Sequence, residues 1–405
     1  MSIIFKKTYK IYLLTLILII LFCGLNVYLG RTKESSDNIL WQKTYGGDEE
    51  DVIRDLIITN DDYLVTVGSS SSGGDAWKSI WIMKLDSQGN NISNIFEGEK
   101  NYNLANSIVF TEDGNFIAAG ESNWLHCTSC NEQGKAWIAK INTDLHIIWE
   151  KYLGDDENNS IEQILSINSQ GFTVSGLTNS SETSEFNAWF AFLDWKGNYF
   201  WSKEYNNLFQ DKATCILYLE EKGFLVAGHS QSKTMNKNDA WILKLTMDGN
   251  IEWEKHFIGS GINVINKIIS SVDSGILAVG YTTSKGVGWQ DAWVIQLDKD
   301  GNLEWEKTFG GDKKDIIVSA IKTDKNKYLL AGNTSSGSKG KISNAWVIQL
   351  DKDGNLEWEK TFGGDKQIIT TGIINKGDES IFLFGKIQVS DKEEFNGWIM
   401  NFRPY

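Results

Sequence analysis

The chain has 405 residues, 41% of them hydrophobic and 23% charged, with a formal net charge of −14. This composition excludes a disordered chain, and an acidic body repels nucleic acid and anionic lipid head groups. Seventeen Trp and 38 Gly against a single Pro favour an all-β repeat over a helical solenoid.

The amino terminus reads as a membrane signal. Residues 1–10 form a basic segment with Lys6, Lys7 and Lys10, and residues 11–29 are apolar except for Thr15, Gly24, Asn26 and the tyrosines at the edges. Nineteen helical residues span roughly 28 Å, enough for a thin or average bilayer core. The expected arrangement is a transmembrane signal-anchor at 11–29 with a cytoplasmic amino terminus and the body outside the cytoplasm, by the positive-inside rule. A cleaved secretory signal is the alternative, although no small-residue cleavage site is clear. A lipoprotein at Cys23 is a third, but Phe22 stands where that motif wants a small residue. The first 37 residues carry five basic and two acidic side chains, which leaves −17 on the remainder. Residues 30–38 are a short linker, with a reach of at most about 30 Å, and 39–405 is the repeat body.

Residues 292–313 read AWVIQLDKDGNLEWEKTFGGDK and recur letter for letter at 345–366. A marker Trp returns at 81, 137, 189, 241, 293, 346 and 398, and a strand-ending Gly at 68, 120, 176, 228, 280, 332 and 385. Both markers count seven units. Within a unit, the patterning predicts four strands: an apolar first strand such as 315–323, a short second at 328–332, a third at 345–350 that is apolar on nearly both faces, and a fourth at 356–362. In the fourth, Leu356, Trp358 and Phe362 alternate with Glu357, Glu359 and Thr361, the pattern of a half-solvated edge.

Four-stranded sheets repeated radially predict a seven-bladed β-propeller. The chain stops at Tyr405, before a fourth strand for the last unit, whereas residues 39–47 closely match the stretch within 302–311. The N-terminal strand is therefore expected to complete the last blade and close the ring. The loops joining fourth to first strands and second to third strands would share one rim, the loop face, and tight Asp-Gly-Asn turns the other. A tether entering the fourth strand at the turn rim would point the loop face away from the bilayer.

The WEKTFGGD strand and loop and the AWVIxLDxxGN hairpin resemble those of a large, uncharacterised family of secreted bacterial and archaeal β-propellers, distantly like quinoprotein-type propeller repeats. The resemblance covers 39–405 and implies a fold but no agreed activity; some relatives bear polysaccharide-degrading labels.

Counting back from the marker Gly gives Asp51, Asn103, Asn159, Asp211, Asn263 and Asp315, and Gln367 in the seventh unit. As a ring at the mouth of a central channel, Asp51, Asp211 and Asp315 are candidate ligands for a hard cation such as Ca2+. The reading favoured by their recurrence in every unit is that each side chain accepts backbone N–H bonds from its own loop.

Function is sought where the units differ. Thirteen tryptophans occupy two repeated positions and read as core. Trp77, Trp124 and Trp289 lie in second-to-third-strand loops near Asp75, His126, Asp239 and Asp291, while Trp195 is the fourth outlier. Aromatics with carboxylates are the makings of a sugar-binding surface; the simpler reading folds each Trp over its own loop. The longest such loop carries Cys127 and Cys130, read as a local disulfide. Cys215 reads as a buried small side chain.

No nucleophile elbow, Walker loop, zinc-protease motif or dinucleotide fingerprint is present, and no cofactor is expected. The function read from the sequence is a membrane-tethered binding or scaffolding module with a protein or glycan partner. The alternative is a lectin or a polysaccharide-acting enzyme with paired carboxylates at the channel mouth.

Overall fold

A computed structural model of the chain describes residues 38–98, 102–122, 134–154, 158–179, 185–206, 210–220, 222–231, 237–337, 343–377, 380–389 and 394–404. The expected membrane span at 11–29, its flanking segments and Cys23 lie outside the described residues. Among the described residues, no helix is long and apolar enough to cross a membrane.

The described residues form seven antiparallel four-stranded sheets, the blades of a seven-bladed β-propeller. Blades one to six occupy 51–97, 104–153, 159–205, 210–257, 263–309 and 315–362 in chain order. In the seventh sheet, three C-terminal strands are joined by Ile39–Tyr45, which pairs antiparallel with Phe395–Phe402. This N-terminal strand repeats the contacts of a fourth strand. Lys43 Nζ reaches Asn90 Oδ1 at 2.6 Å in the turn of blade one, as Lys307 Nζ reaches Asn355 Oδ1 at 3.0 Å between blades five and six.

The duplicated motif can be read side chain by side chain. In blade six the strands are Asp315–Lys322, Tyr328–Thr334, Asn344–Leu350 and Leu356–Phe362. The third strand is buried from Ala345 to Leu350 between neighbouring sheets, as its uninterrupted apolar run requires. Trp346 fills that space, and its Nε1 donates to Glu359 Oε2 at 3.1 Å on the fourth strand. The same bond joins Trp293 to Glu306 and Trp137 to Glu150. All seven third-strand tryptophans are buried.

Fourth-strand tryptophans do something else. They are half-buried, and several slide under the next blade's turn: a Cβ placed on Gly301 would sit 2.9 Å from Trp253, and one on Gly354 2.6 Å from Trp305. Leu356 departs from the expected alternation and is 47% exposed. The register slips there, with Gln349 opposite Trp358 but Leu350 opposite Leu356. Such a bulge puts two residues against one, here with Glu357 as the extra residue, and the one-residue slip reverses the facing of Leu356.

The turn rim is built from local chemistry. Asp298 Oδ1 accepts the N–H groups of Asp300 and Asn302, each at 2.8 Å, and Asn302 Nδ2 donates to Asp298 Oδ2 at 2.9 Å. Gly301 lies between them at φ +78°, a left-handed conformation that favours glycine. Asp194 and Asp351 repeat the arrangement.

Candidate loop-face binding site

The opposite rim is held by a buried clasp at the start of the first strand in blades one to six. Asp315 Oδ2 accepts Gly311 N–H at 2.8 Å and Ser336 Oγ–H at 2.6 Å, while Oδ1 accepts the Thr334 hydroxyl. Asp51 takes Gly47 N–H at 2.9 Å and Ser72 Oγ–H at 2.8 Å. Asn103, Asn159, Asp211 and Asn263 each accept a Ser or Thr hydroxyl from the second strand. All six residues are at most 3% exposed. The oxygens of Asp51 and Asp315 fasten the two loops beside them, and none of the six lines the channel cavity.

Blade seven breaks this pattern, and the register corrects the expectation for Gln367. The pair equivalent to Asp315 and Thr334 is Ile368 and Ile387. The apolar pair belongs to the core between blades six and seven. Gln367 lies one residue earlier, where its carbonyl accepts Gln388 N–H at 2.8 Å. Among the described residues, no group of three or more His, Cys, Asp or Glu side chains is placed to hold a metal ion.

Neighbouring loops on this rim are zipped together. Lys78 carbonyl accepts Asn103 N–H at 2.8 Å, and Gln290 carbonyl accepts Asp315 N–H at 2.7 Å, so these second-to-third-strand loops grip the first strand of the next blade. Between blades seven, one and two, Glu50 bridges Lys386 at 2.5 Å and Lys78 at 2.6 Å, and Lys78 also reaches the Tyr102 hydroxyl at 3.1 Å. Burial opposes ionisation of Glu50, but the two ammonium groups outweigh it and pull its carboxyl down to about 2.

On this braced surface, four large apolar side chains stand out in solvent: Trp289 is 85% exposed, Val287 83%, Trp77 78% and Ile258 72%. Trp77 and Trp289 occupy equivalent positions, each four residues before its marker Trp. Neither folds over its own loop. The backbone beneath Trp289 is fixed by Asp291, which is 2% exposed and accepts Gly288 N–H at 2.9 Å, and by Trp289 N–H donating to Lys313 carbonyl at 3.2 Å. Gly261 N–H donates to Ser284 Oγ at 2.9 Å and Thr283 N–H to Ile262 carbonyl at 2.8 Å, which brings the loop carrying Ile258 beside the loop carrying Val287 and Trp289.

The remaining sequence candidates separate. Asp75 is exposed near Trp77. Asp239 accepts Gly259 N–H at 3.4 Å and is the second residue of its third strand, whereas Asp291 opens its own. Trp195 is half-buried on the turn rim, its ring 6.1 Å from that of Phe172. Cys215 is a free thiol, 1% exposed within the core. Trp124, His126, Cys127 and Cys130 lie outside the described residues.

Side chains that the sequence reading passed over line the central channel. Each first strand carries a bulge, and the extra residues are Arg54, Asn106, Glu162, Thr214, Asn266, Val318 and Thr371. Four of them donate to the bulge carbonyl of the next blade: Asn106 to Ile161 at 2.8 Å, and Thr214 to Ile265, Asn266 to Ile317 and Thr371 to Ile53 at 2.7 Å. Arg54, Glu162 and Val318 do not. Glu162 pairs with Lys212 at 2.8 Å; burial opposes its charge, and the Lys212 ammonium keeps it ionised below the ordinary Glu range. The signal was a charge inside an otherwise apolar strand, but without the bulge its facing could not be read.

No family model matches the chain, and no curated protein sequence matches it either. Among solved structures, Sqt1 from Chaetomium thermophilum aligns with a TM-score of 0.50 and 12% identity over 91% of this chain and 90% of that one. YCF48, solved bound to D1 peptide, aligns with a TM-score of 0.50 and 10% identity over 92% of this chain and all of that one. Likeness at this identity is a likeness of fold.

Proposed function

We propose that this protein is a non-enzymatic binding module that takes hold of a protein partner through its loop face, and that it works outside the cytoplasm, tethered by residues 11–29. One observation carries the binding reading: the four most exposed large apolar side chains among the described residues all stand on the loop face. Solvent-facing aromatic and branched side chains on a braced backbone are what anchor an interface, since their burial gains area without ordering a loose loop. Val287 and Ile258 beside Trp289 favour a protein over a sugar, which would stack on the ring but gain little from branched aliphatics.

The tether reading rests on the sequence of the first 37 residues and on the chain entering its first strand at the turn rim, where Asn38 carbonyl accepts Arg403 N–H at 2.8 Å. A membrane there would leave the loop face turned outward. Membership of the secreted repeat family belongs to the same reading and rests on the two quoted motifs.

The test is site-specific photo-crosslinking of full-length protein on cells, with the crosslinker at position 287 or at position 303. Leu303 is an apolar residue, 54% exposed, on the fourth strand near the turn rim. A discrete protein adduct at 287, absent at 303 and lost with Trp289→Ala, supports the reading. Equal labelling at both positions overturns it, and glycan-array binding lost with Trp77→Ala would replace the protein partner with a sugar. Protease added to intact cells should release the propeller; cleavage only after lysis would sink the outside location.

A further inference from the structure

The central channel holds a cavity of about 320 Å3 to which all seven first strands contribute, a volume at the small end of ligand sites. Its Asp55 and Glu162 carboxylates are already used. Asp55 Oδ2 takes Ser107 Oγ–H at 2.8 Å and Ile108 N–H at 3.0 Å, Asp55 Oδ1 takes Leu56 N–H at 2.9 Å, and Glu162 is paired with Lys212. Its donors are not. Arg54 makes no hydrogen bond or ion pair among the described residues, and its Nε is buried without a partner. Lys267 also has no ion pair within 4 Å among them, although its charge acts on Asp55. Gln163 uses Oε1 to accept Ile216 N–H at 3.0 Å, which leaves its amide nitrogen to the cavity.

Two cations in a confined channel without partners are costly unless something anionic meets them. Glu121 and Glu162 feel the Arg54 charge, but neither forms an ion pair with it. Arg54 belongs to blade one and Lys267 to blade five, far apart around a seven-membered ring. A guanidinium fork on one wall and an ammonium on another suit one carboxylate each.

We propose that the central channel binds a small dicarboxylate, gripped at one end by Arg54 and at the other by Lys267, with Gln163 donating between them. This site is independent of the loop-face surface. The acidic exterior disfavours casual anion binding, so affinity has to come from the channel.

Calorimetric titration of full-length protein in neutral detergent with succinate, glutarate and inorganic phosphate tests the proposal. Saturable one-to-one binding of succinate or glutarate is expected. Arg54→Gln and Lys267→Gln should each weaken it about tenfold or more, the loss of one charge-assisted contact. Lys267→Arg keeps the charge and should hold affinity within about threefold, whereas Arg54→Lys keeps the charge but gives up the fork and should fall between the parent protein and Arg54→Gln; both test the pair even where a neutral variant does not fold. Trp289→Ala should leave the affinity unchanged. No saturable binding of either dicarboxylate, phosphate bound in their place, or affinity indifferent to both neutral variants would each overturn the assignment.

Discussion

The two rims of this propeller are built from the same strands and do opposite things. On the turn rim, the Asp298 to Asn302 arrangement recurs with the same bonds around Asp194 and Asp351, and the next blade's glycine sits on a tryptophan ring. On the loop rim, the clasp beneath the surface recurs, but what stands above it differs from blade to blade, from Trp289 and Val287 to the Lys78, Glu50 and Lys386 bridge. Repetition marks where side chains answer to the fold, and variation marks where they are free to answer to something else.

The widest separation should come from two tryptophans. Trp346→Ala empties a buried third-strand position and orphans the Glu359 bond, at a cost of about 3–5 kcal/mol. Trp289→Ala should stay within about 0.5 kcal/mol of the parent protein while removing the crosslink at 287. Urea unfolding of both variants checks this, and a large loss of stability in the Trp289 variant would make it a structural residue.

The clasp gives the next largest effect. Asp315→Ala leaves two hydroxyls and a backbone N–H without their buried acceptor and should cost about 2–4 kcal/mol. Blade seven sharpens the point. Ile368→Asp should destabilise, because Ile387 offers no hydroxyl, and Ile387→Thr should recover part of that loss in a double-mutant cycle while destabilising on its own. Strict additivity would mean that the carboxylate and hydroxyl do not act as a unit. On the turn rim, Gly301→Ala should cost about 1–2 kcal/mol, from the positive φ and the Trp253 contact together.

Much of this was legible because period-two alternation and a fixed repeat report directly on which positions are buried. The seven units, the four strands in each and the buried third-strand run around Trp346 could be read that way. What the letters hid came from register. One bulged residue per first strand placed Arg54 and Glu162 on the channel wall, and one slip in the fourth strand turned Leu356 outward. The seventh clasp was missed for the same reason: Ile368 carries no polar signature to count from. Trp77 and Trp289 were visible as breaks in the repeat, but whether such a ring lies down or stands up depends on the loop backbone, which Asp291 settles for Trp289 through hydrogen bonds that spacing does not encode.

A pH-dependent effect of similar size to that of Gly301→Ala lies where the channel meets the loop rim. His229 follows a marker glycine on the second strand of blade four, near Lys212 and Glu162, and its Nδ1 is buried without a partner. Burial, aided by the Lys212 charge and opposed by Glu162, lowers its pKa from 6.5 to about 4. Between those values the unfolded chain takes up a proton that the fold refuses, so the contribution of His229 is full above about pH 6.5 and is lost as the pH falls to about 4. The loss should total roughly 1–3 kcal/mol. Glu50, held down at about 2, loses its contribution lower, between about pH 4.5 and 2. Glu121, raised by burial and by Glu162, works in the opposite direction to His229 above about pH 4.5, so the readout is the difference between the parent protein and His229→Gln. Urea midpoints at pH 7.5, 5.5 and 4.5 should converge between the two proteins as the pH falls. Parallel pH profiles would show that the imidazole protonates as readily in the fold as in the unfolded chain, and would make the channel wetter around blade four than its packing implies.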